Sequence, residues 1–352
     1  MPTLIAVDGL TKRFQRSRRS PGLRGALRHL WRPTTTSITA VDDISFDVAA
    51  GESVAYVGPN GAGKSTTIKL LTGILVPTAG RVSVCGLAPY EHRVENAKNI
   101  SVVFGQRTQL WWDIPVQDSF RLLGDIYEVS GSDFQHSLGE LTEVLELEDL
   151  LSVPARQLSL GQRMRCDLAA ALIHRPKVLY LDEPTIGLDV AVKARFREFI
   201  KTLHGERGLT VLLTSHDLGD IEELCPRMMM IDRGTIIYDG ALSELTSRFG
   251  REKRITVTLS QPIPTADQEA KTALHQLASR TESRSDLVFD IWFDSSQAKA
   301  GEILRLLPAT LPIADVAIEE ASTESIVRQL YEGELRLSDG PEAGAAPGTG
   351  NA

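Results

Sequence analysis

Gly58-Pro59-Asn60-Gly61-Ala62-Gly63-Lys64-Ser65-Thr66 is the stretch on which the reading of this chain turns. It fits G-x-x-x-x-G-K-[ST], a loop that cradles phosphate. Glycines let the backbone wrap an anion and turn several N–H groups inward. Lys64 supplies a mobile positive charge for the β- and γ-phosphates, and Ser65 a hydroxyl for Mg²⁺. The apolar run Ser53-Val54-Ala55-Tyr56-Val57 predicts the strand that enters the loop. Thr66-Thr67-Ile68-Lys69-Leu70-Leu71 predicts the helix that leaves it, its N-terminus aimed at the phosphates. Strand, loop and helix together imply a nucleoside triphosphate. They leave open what its energy is used for.

The chain has 352 residues, enough for about two domains, and is 42% hydrophobic and 24% charged, as a globular protein with a real core is. No stretch reaches the ~18 uninterrupted apolar residues of a membrane span. The first residues lack a basic segment followed by an apolar one, so no secretory signal is expected. Cys85, Cys166 and Cys225 stand far apart with no C-x-x-C pair, which predicts free thiols in a reducing cytoplasm. Net charge is −8, unevenly spread. The first 40 residues hold eight basic side chains against Asp8, so the remainder carries −15. An acidic body disfavours a nucleic-acid partner, whose binding rests on neutralised phosphates.

Short strands are expected over residues 3–14 and 38–57, with residues 15–36 interrupting the pattern. Further strands are expected at 80–86 and 99–104. Apolar residues at three-to-four spacing predict helices over 118–129 and 138–151. The apolar runs at 177–181 and 209–214 predict strands buried in a parallel sheet. Residues 228–232 and 235–238 read as a hairpin turning at Arg233-Gly234. The composition shifts near residue 249. From there to 335 a small α/β domain is expected, with strands at 255–259, 287–293 and 313–319 and helices at 266–278, 296–307 and 322–331. Residues 336–352, rich in Gly, Ala and Pro, read as a disordered tail.

Val178-Leu179-Tyr180-Leu181-Asp182-Glu183 is an apolar strand ending in two acids. In a phosphate-loop fold it is expected beside the strand that feeds the loop, facing the same crevice. Asp182 would hold Mg²⁺ through water, and Glu183 would polarise the attacking water. Gln106 ends another strand and could ligate Mg²⁺ or its water. His216 follows the apolar run at 209–214 and could bond the γ-phosphate and Glu183. Ser159, in Leu158-Ser159-Leu160-Gly161-Gln162, could cap a helix, and Gly161 would let backbone approach an anion.

In that order, residues 58–66, Gln106, 158–162, 178–183, Gly187-Leu188-Asp189 and His216 resemble the nucleotide-binding subunit of ATP-binding cassette (ABC) transporters, over residues 4–245. The resemblance implies a P-loop NTPase fold of ABC type: a RecA-like core, an antiparallel β-subdomain and a helical subdomain at about 107–165. It implies ATP and Mg²⁺ as ligands, ATP hydrolysis, and a head-to-tail dimer with two ATP molecules between the subunits. Residues 158–162 would then reach the γ-phosphate held by the other subunit, and Asp189 would lie at the dimer contact. Leu160 stands where the commonest form of this signature has glycine, a variant the family tolerates. An aromatic near the first strand stacks on adenine in the family, which nominates Phe14. The lengthened connection at 15–36 competes with that assignment.

Val103-Phe104-Gly105-Gln106-Arg107-Thr108-Gln109-Leu110-Trp111-Trp112-Asp113 and Gln157-Leu158-Ser159-Leu160-Gly161-Gln162-Arg163-Met164-Arg165 resemble an ABC-2-type subfamily related to drug and antibiotic exporters. This implies separately encoded membrane permease subunits and a place on the cytoplasmic face of the cell membrane. An importer ATPase, or a soluble cassette acting on nucleic acid or ribosomes, is the alternative. Trp111 and Trp112 border the family's permease groove, or else fill the helical subdomain's core. In the insertion, Leu23, Leu27, Leu30 and Trp31 share one helical face and Arg24, Arg28 and Arg32 flank it. That helix packs on its own domain or touches anionic lipid.

Overall fold

The computed structural model describes residues 2–17, 35–105, 107–250, 252–262, 280–295, 297–306, 312–320 and 322–332. Their contacts divide the chain into two units, residues 1–240 and 241–352.

In the first unit the strands are β1 (Thr3–Ser17), β2 (Thr35–Ala49), β3 (Ser53–Val57), β4 (Ala79–Val84), β5 (Ile100–Phe104), β6 (Val178–Asp182), β7 (Thr210–Thr214), β8 (Arg227–Asp232) and β9 (Thr235–Ala241). β2-β1-β4 form an antiparallel sheet, and β5-β6-β7-β3-β8-β9 a six-stranded one. The first five strands of the larger sheet run parallel. Every residue of β3 and β7 is buried. This is why these strands are apolar throughout rather than alternating: both faces of a parallel sheet are covered. β8 turns into β9 at Arg233 (φ 47) and Gly234 (φ 85), the positive φ pair a tight hairpin requires.

The strand order corrects one expectation. β6 does not lie beside β3, because β7 sits between them. β6 reaches β7 through helix α6 (Val190–Arg207), a crossover between neighbours, so the acids of β6 stand one strand further from the loop. The other helices of this unit are α1 (Lys64–Leu71), α2 (Arg93–Asn99), α3 (Val116–Ile126), α4 (Gly131–Val144), α5 (Leu160–Leu172) and α7 (Leu218–Leu224). One apolar cluster joins the two sheets across α1: Ile5, Leu10 and Val84 meet Ile68, Leu71, Tyr56 and Met229. Each such fully buried aliphatic side chain stabilises the unit by about 1.5–3 kcal/mol.

Helices α3 and α4 stop earlier than their periodicity predicts. Glu128 (φ 55) and Glu146 (φ 52) take the left-handed conformation after each helix. Val129 then donates to the Gly124 carbonyl and Glu128 to that of Asp125, as Leu147 does to Thr142 and Glu146 to Glu143, the paired bonds of a Schellman cap. The apolar residues beyond Val144 continue in a single 3-10 turn, Glu148–Leu150. The interruption between β1 and β2 is also shorter than residues 15–36. Gln15, Arg16 and Ser17 pair with Ser37, Thr36 and Thr35. The expected insertion helix, at 23–32, lies outside the described residues.

The second unit holds α8 (Leu242–Phe249), β10 (Glu252–Leu259), β11 (Arg280–Ser285), β12 (Val288–Asp294), α9 (Ala300–Leu306), β13 (Ile313–Glu320) and α10 (Thr323–Glu332). Its sheet, β11-β12-β10-β13, is antiparallel throughout, with α9 connecting its last two strands in sequence. Ile255, Val257, Ile291 and Phe293 pack under Ile303 of α9. β11, Arg-Thr-Glu-Ser-Arg-Ser, has no apolar residue and no sequence signal for a strand; it is an edge strand held by its pairing with β12. The expected helix at 266–278 and tail at 336–352 lie outside the described residues.

Candidate nucleotide site

A cavity of about 350 Å³ opens at the C-terminal ends of the parallel strands, as expected in an open α/β sheet. Pro59, Asn60, Gly61, Gly63, Lys64, Ser65 and Thr66 form one wall. Phe104, Gly105, Arg107, Asp182, Glu183, Ile186 and His216 form the other. Gly58 and Ala62 stand behind the loop, Ala62 in the apolar core. Gly63 has φ 118, and a Cβ there would stand 2.5 Å from the Ala40 carbonyl oxygen. Both restrict the position to glycine.

Lys64 is almost buried. Its ammonium donates to the carbonyls of Gly58 and Pro59, within the loop itself. Burial pulls its pKa down, and the charges of Glu183 and Asp182 push it back up. Asp182 ends β6 and is held from two sides. Thr214 Oγ donates to its Oδ1 at 2.6 Å and Ser65 Oγ to its Oδ2 at 3.4 Å. Carboxylate and hydroxyl are the hard oxygen donors Mg²⁺ takes alongside waters and substrate phosphates. Asp182 and Ser65 therefore fit that ion.

Glu183 has φ 54, a strained conformation for a residue with a side chain. Its backbone N–H donates to the Thr214 carbonyl at 3.0 Å, and its carbonyl passes close over Gly105. The backbone N–H of His216 donates to Glu183 Oε2 at 3.2 Å. The other oxygen, Oε1, is sealed from solvent and accepts no hydrogen bond, although His216 Nε2 stands 3.2 Å away. A buried acceptor left unpaired costs about 1–3 kcal/mol.

The segment carrying His216 is anchored from below. Asp220, fully buried, accepts from Arg197 Nε at 2.6 Å, from Ser215 at 3.3 Å and from Thr185. Lys193 and Arg197 pair with Asp217, which caps α7 by accepting from Gly219 N–H.

Of the other sequence-predicted residues, Gln106 lies outside the described residues. Phe14 is on the exposed stretch of β1, beneath the Lys12 ammonium, and is not in the cavity wall. Residues 158–162 and Asp189 are also outside it. Ser159 caps α5 in a full capping box with Gln162. A Cβ on Gly187 would stand 3.2 Å from Leu160, and one on Gly161 3.1 Å from Val192, so the signature packs on the start of α6. Asp189 caps that helix at Val192 N–H, 2.9 Å. Trp111 and Trp112 are both about half exposed, and Arg163 lies over the Trp112 ring. The core reading of this pair is therefore corrected: Leu110, not the tryptophans, is the buried residue there. Sequence reasoning missed Thr214, Gly105 and Arg107; the only signal was their adjacency to His216 and Gln106.

The family model for ABC transporters matches residues 41–186. Nod factor export ATP-binding protein I of Paraburkholderia xenovorans is 35% identical over 263 residues, 74% of this chain and 84% of that protein. Daunorubicin resistance ATP-binding protein DrrA3 of Streptomyces coeruleorubidus is 30% identical over 337 residues, 96% of this chain and 98% of that protein. A solved dimeric bacterial ABC transporter cassette superposes with a TM-score of 0.55 at 25% identity, over 67% of this chain and 98% of its own. Among the described residues, no helix is long and apolar enough to cross a membrane. With the phosphate loop, the acids of β6 and a full-length relative in agreement, the chain belongs to the ABC transporter family, among its ATP-binding proteins.

Proposed function

We propose that this chain is the ATP-hydrolysing subunit of an ABC-2-type exporter. The observation that carries the reading is Glu183: a carboxylate at the end of β6, met at both oxygens by His216 and facing the phosphate loop across one cavity. The loop N–H groups and Lys64 hold the triphosphate, Lys64 exchanging its two carbonyl partners for phosphate oxygens. Asp182 and Ser65 would hold Mg²⁺, which would neutralise phosphate charge. Glu183 orients a water and takes its proton, while His216 keeps the carboxylate in place through its backbone N–H.

The site is half of a pair. Ser159 lies outside the cavity of its own chain. Its hydroxyl oxygen is used by Gln162 N–H, which leaves its hydrogen to donate, and the first turn of α5 has no acid. That helix start suits a phosphate presented by a second copy. Asp189 and the exposed Ile186 and Val190 beside it belong to the same contact. Gln106 would link the Mg²⁺ shell to the permease-facing segment, where exposed Trp111 and Trp112 dock a membrane subunit encoded separately. The chain then works as a peripheral protein on the cytoplasmic face of a bacterial membrane. Export rather than import follows the named roles of the two relatives, Nod factor export and daunorubicin resistance.

Glu183→Gln tests the reading. It keeps the hydrogen-bonding shape and removes the base, so ATP should drive the variant into a stable dimer on size exclusion with almost no turnover. Normal hydrolysis by this variant would refute the assignment. Loss of co-purification with the permease on Trp111→Ala/Trp112→Ala, with ATP binding intact, tests the docking surface.

A further inference from the structure

We infer that Arg107 determines selectivity for a nucleoside triphosphate over a diphosphate by binding the terminal phosphate. The inference rests on the cavity being the ATP site. Two cations line that cavity, Lys64 and Arg107. Lys64 is nearly buried and bonded to two carbonyls. Arg107 is exposed, and among the described residues its guanidinium has no hydrogen-bond or ion-pair partner, although Asp182 and Glu183 line the same cavity. Its backbone N–H donates to the Phe104 carbonyl at 3.1 Å, which ties Arg107 to the end of β5.

The strand order decides which phosphate it meets. β5 is three strands from β3 in the order β5-β6-β7-β3. At about 4.8 Å per strand, Arg107 starts about 14 Å from the loop that wraps the inner phosphates. It reaches into the cavity from the side of Asp182 and Glu183. A guanidinium arriving from there meets the outermost phosphate first, the one a diphosphate lacks. Guanidinium matches phosphate in a planar, two-point bond, which a glutamine cannot reproduce and a lysine replaces only as a point charge.

Calorimetric titration of the full chain with Mg-ATP and with Mg-ADP, at a concentration where the protein stays monomeric, tests this. Arg107→Gln should weaken ATP about tenfold and ADP less than about twofold, with Arg107→Lys between the two. Unchanged thermal midpoints would exclude a folding defect. Equal losses for both nucleotides, no loss for either, or a defect confined to dimer assembly would each overturn the inference. Lys64→Ala is the control for the site itself. If the native chain binds neither nucleotide, or Lys64→Ala binds both normally, the reading of the cavity fails rather than the role of Arg107.

Discussion

Replacing Gly105 by alanine would place a Cβ 1.9 Å from the carbonyl oxygen of Glu183 and 2.9 Å from its carbonyl carbon. Real Cβ contacts essentially never fall below 3.0 Å, so one backbone must move by about 1.1 Å. Both are main-chain atoms, so no side-chain rotation relieves the clash. β5 and β6 are paired along their length, from Ile100↔Val178 to Phe104↔Asp182, which resists movement of the strands themselves. The yielding point is Glu183, already strained at φ 54 and one residue beyond the ladder. Its carboxylate shifts with it, out of reach of the His216 N–H. Displacing a reacting group by about 1 Å costs on the order of 10²-fold in rate. The loop at residues 58–66 is untouched, so ATP affinity should stay within about threefold. Steady-state phosphate release and calorimetric ATP binding measure the two quantities. Gly205→Ala is the matched control. A Cβ there meets nothing within 4 Å, and in the body of α6 it should raise stability by about 0.5–1 kcal/mol with normal turnover. Wild-type turnover in Gly105→Ala would refute the claim that the β5–β6 junction positions Glu183.

Three further outcomes are expected. Thr214→Val removes the hydroxyl that holds Asp182 while keeping the shape, and should cost hydrolysis about 1–3 kcal/mol of barrier with a raised Mg²⁺ requirement, read from rate against Mg²⁺ concentration. Asp220→Ala removes the buried acceptor shared by Arg197, Ser215 and Thr185, while Arg197 keeps Asp217 and Glu223, and should lower unfolding free energy by about 1–3 kcal/mol in urea titration. The hydrogen bond from Lys193, followed by the charges of Lys193 and Arg197, holds Asp217 below the usual carboxylate range. A depressed folded-state pKa gives stability that is present above about pH 4 and lost as pH falls through the folded value. Asp217→Asn keeps the helix cap, so its thermal midpoint should fall less steeply than that of the native chain below about pH 4. Asp167, whose pKa burial pushes up, titrates in the opposite sense in both proteins and cancels in the comparison.

The site was legible where its chemistry is local. Wrapping a phosphate needs glycines, a lysine and a hydroxyl in one continuous stretch, so residues 58–66 could be read without neighbours. The acids of β6 were legible because a fully buried strand is apolar until its last residue, which marks Asp182 as the point of emergence. Thr214 and Arg107 were not, because their roles depend on strand order, and nothing in the chain at 209–214 says that β7 inserts between β6 and β3. The ends of α3 and α4 were misread for a local reason. Glutamates, not glycines, occupy their left-handed caps, so the usual C-terminal signal was missing. β11 was invisible because an edge strand facing solvent needs no apolar alternation.

The corrected strand order also bears on how hydrolysis is coupled to the rest of the unit. With β7 between β6 and β3, a single residue of β7, Thr214, touches both acids: its hydroxyl donates to Asp182 and its carbonyl accepts from Glu183 N–H. The next residues run through Ser215, bonded to Asp220, to His216, bonded to Glu183. Asp220 in turn fastens Arg197 of α6, the helix that Asp189 caps and on which the signature packs. A movement of the signature against α6 therefore has a continuous path of hydrogen bonds and packed atoms to the Glu183 carboxylate.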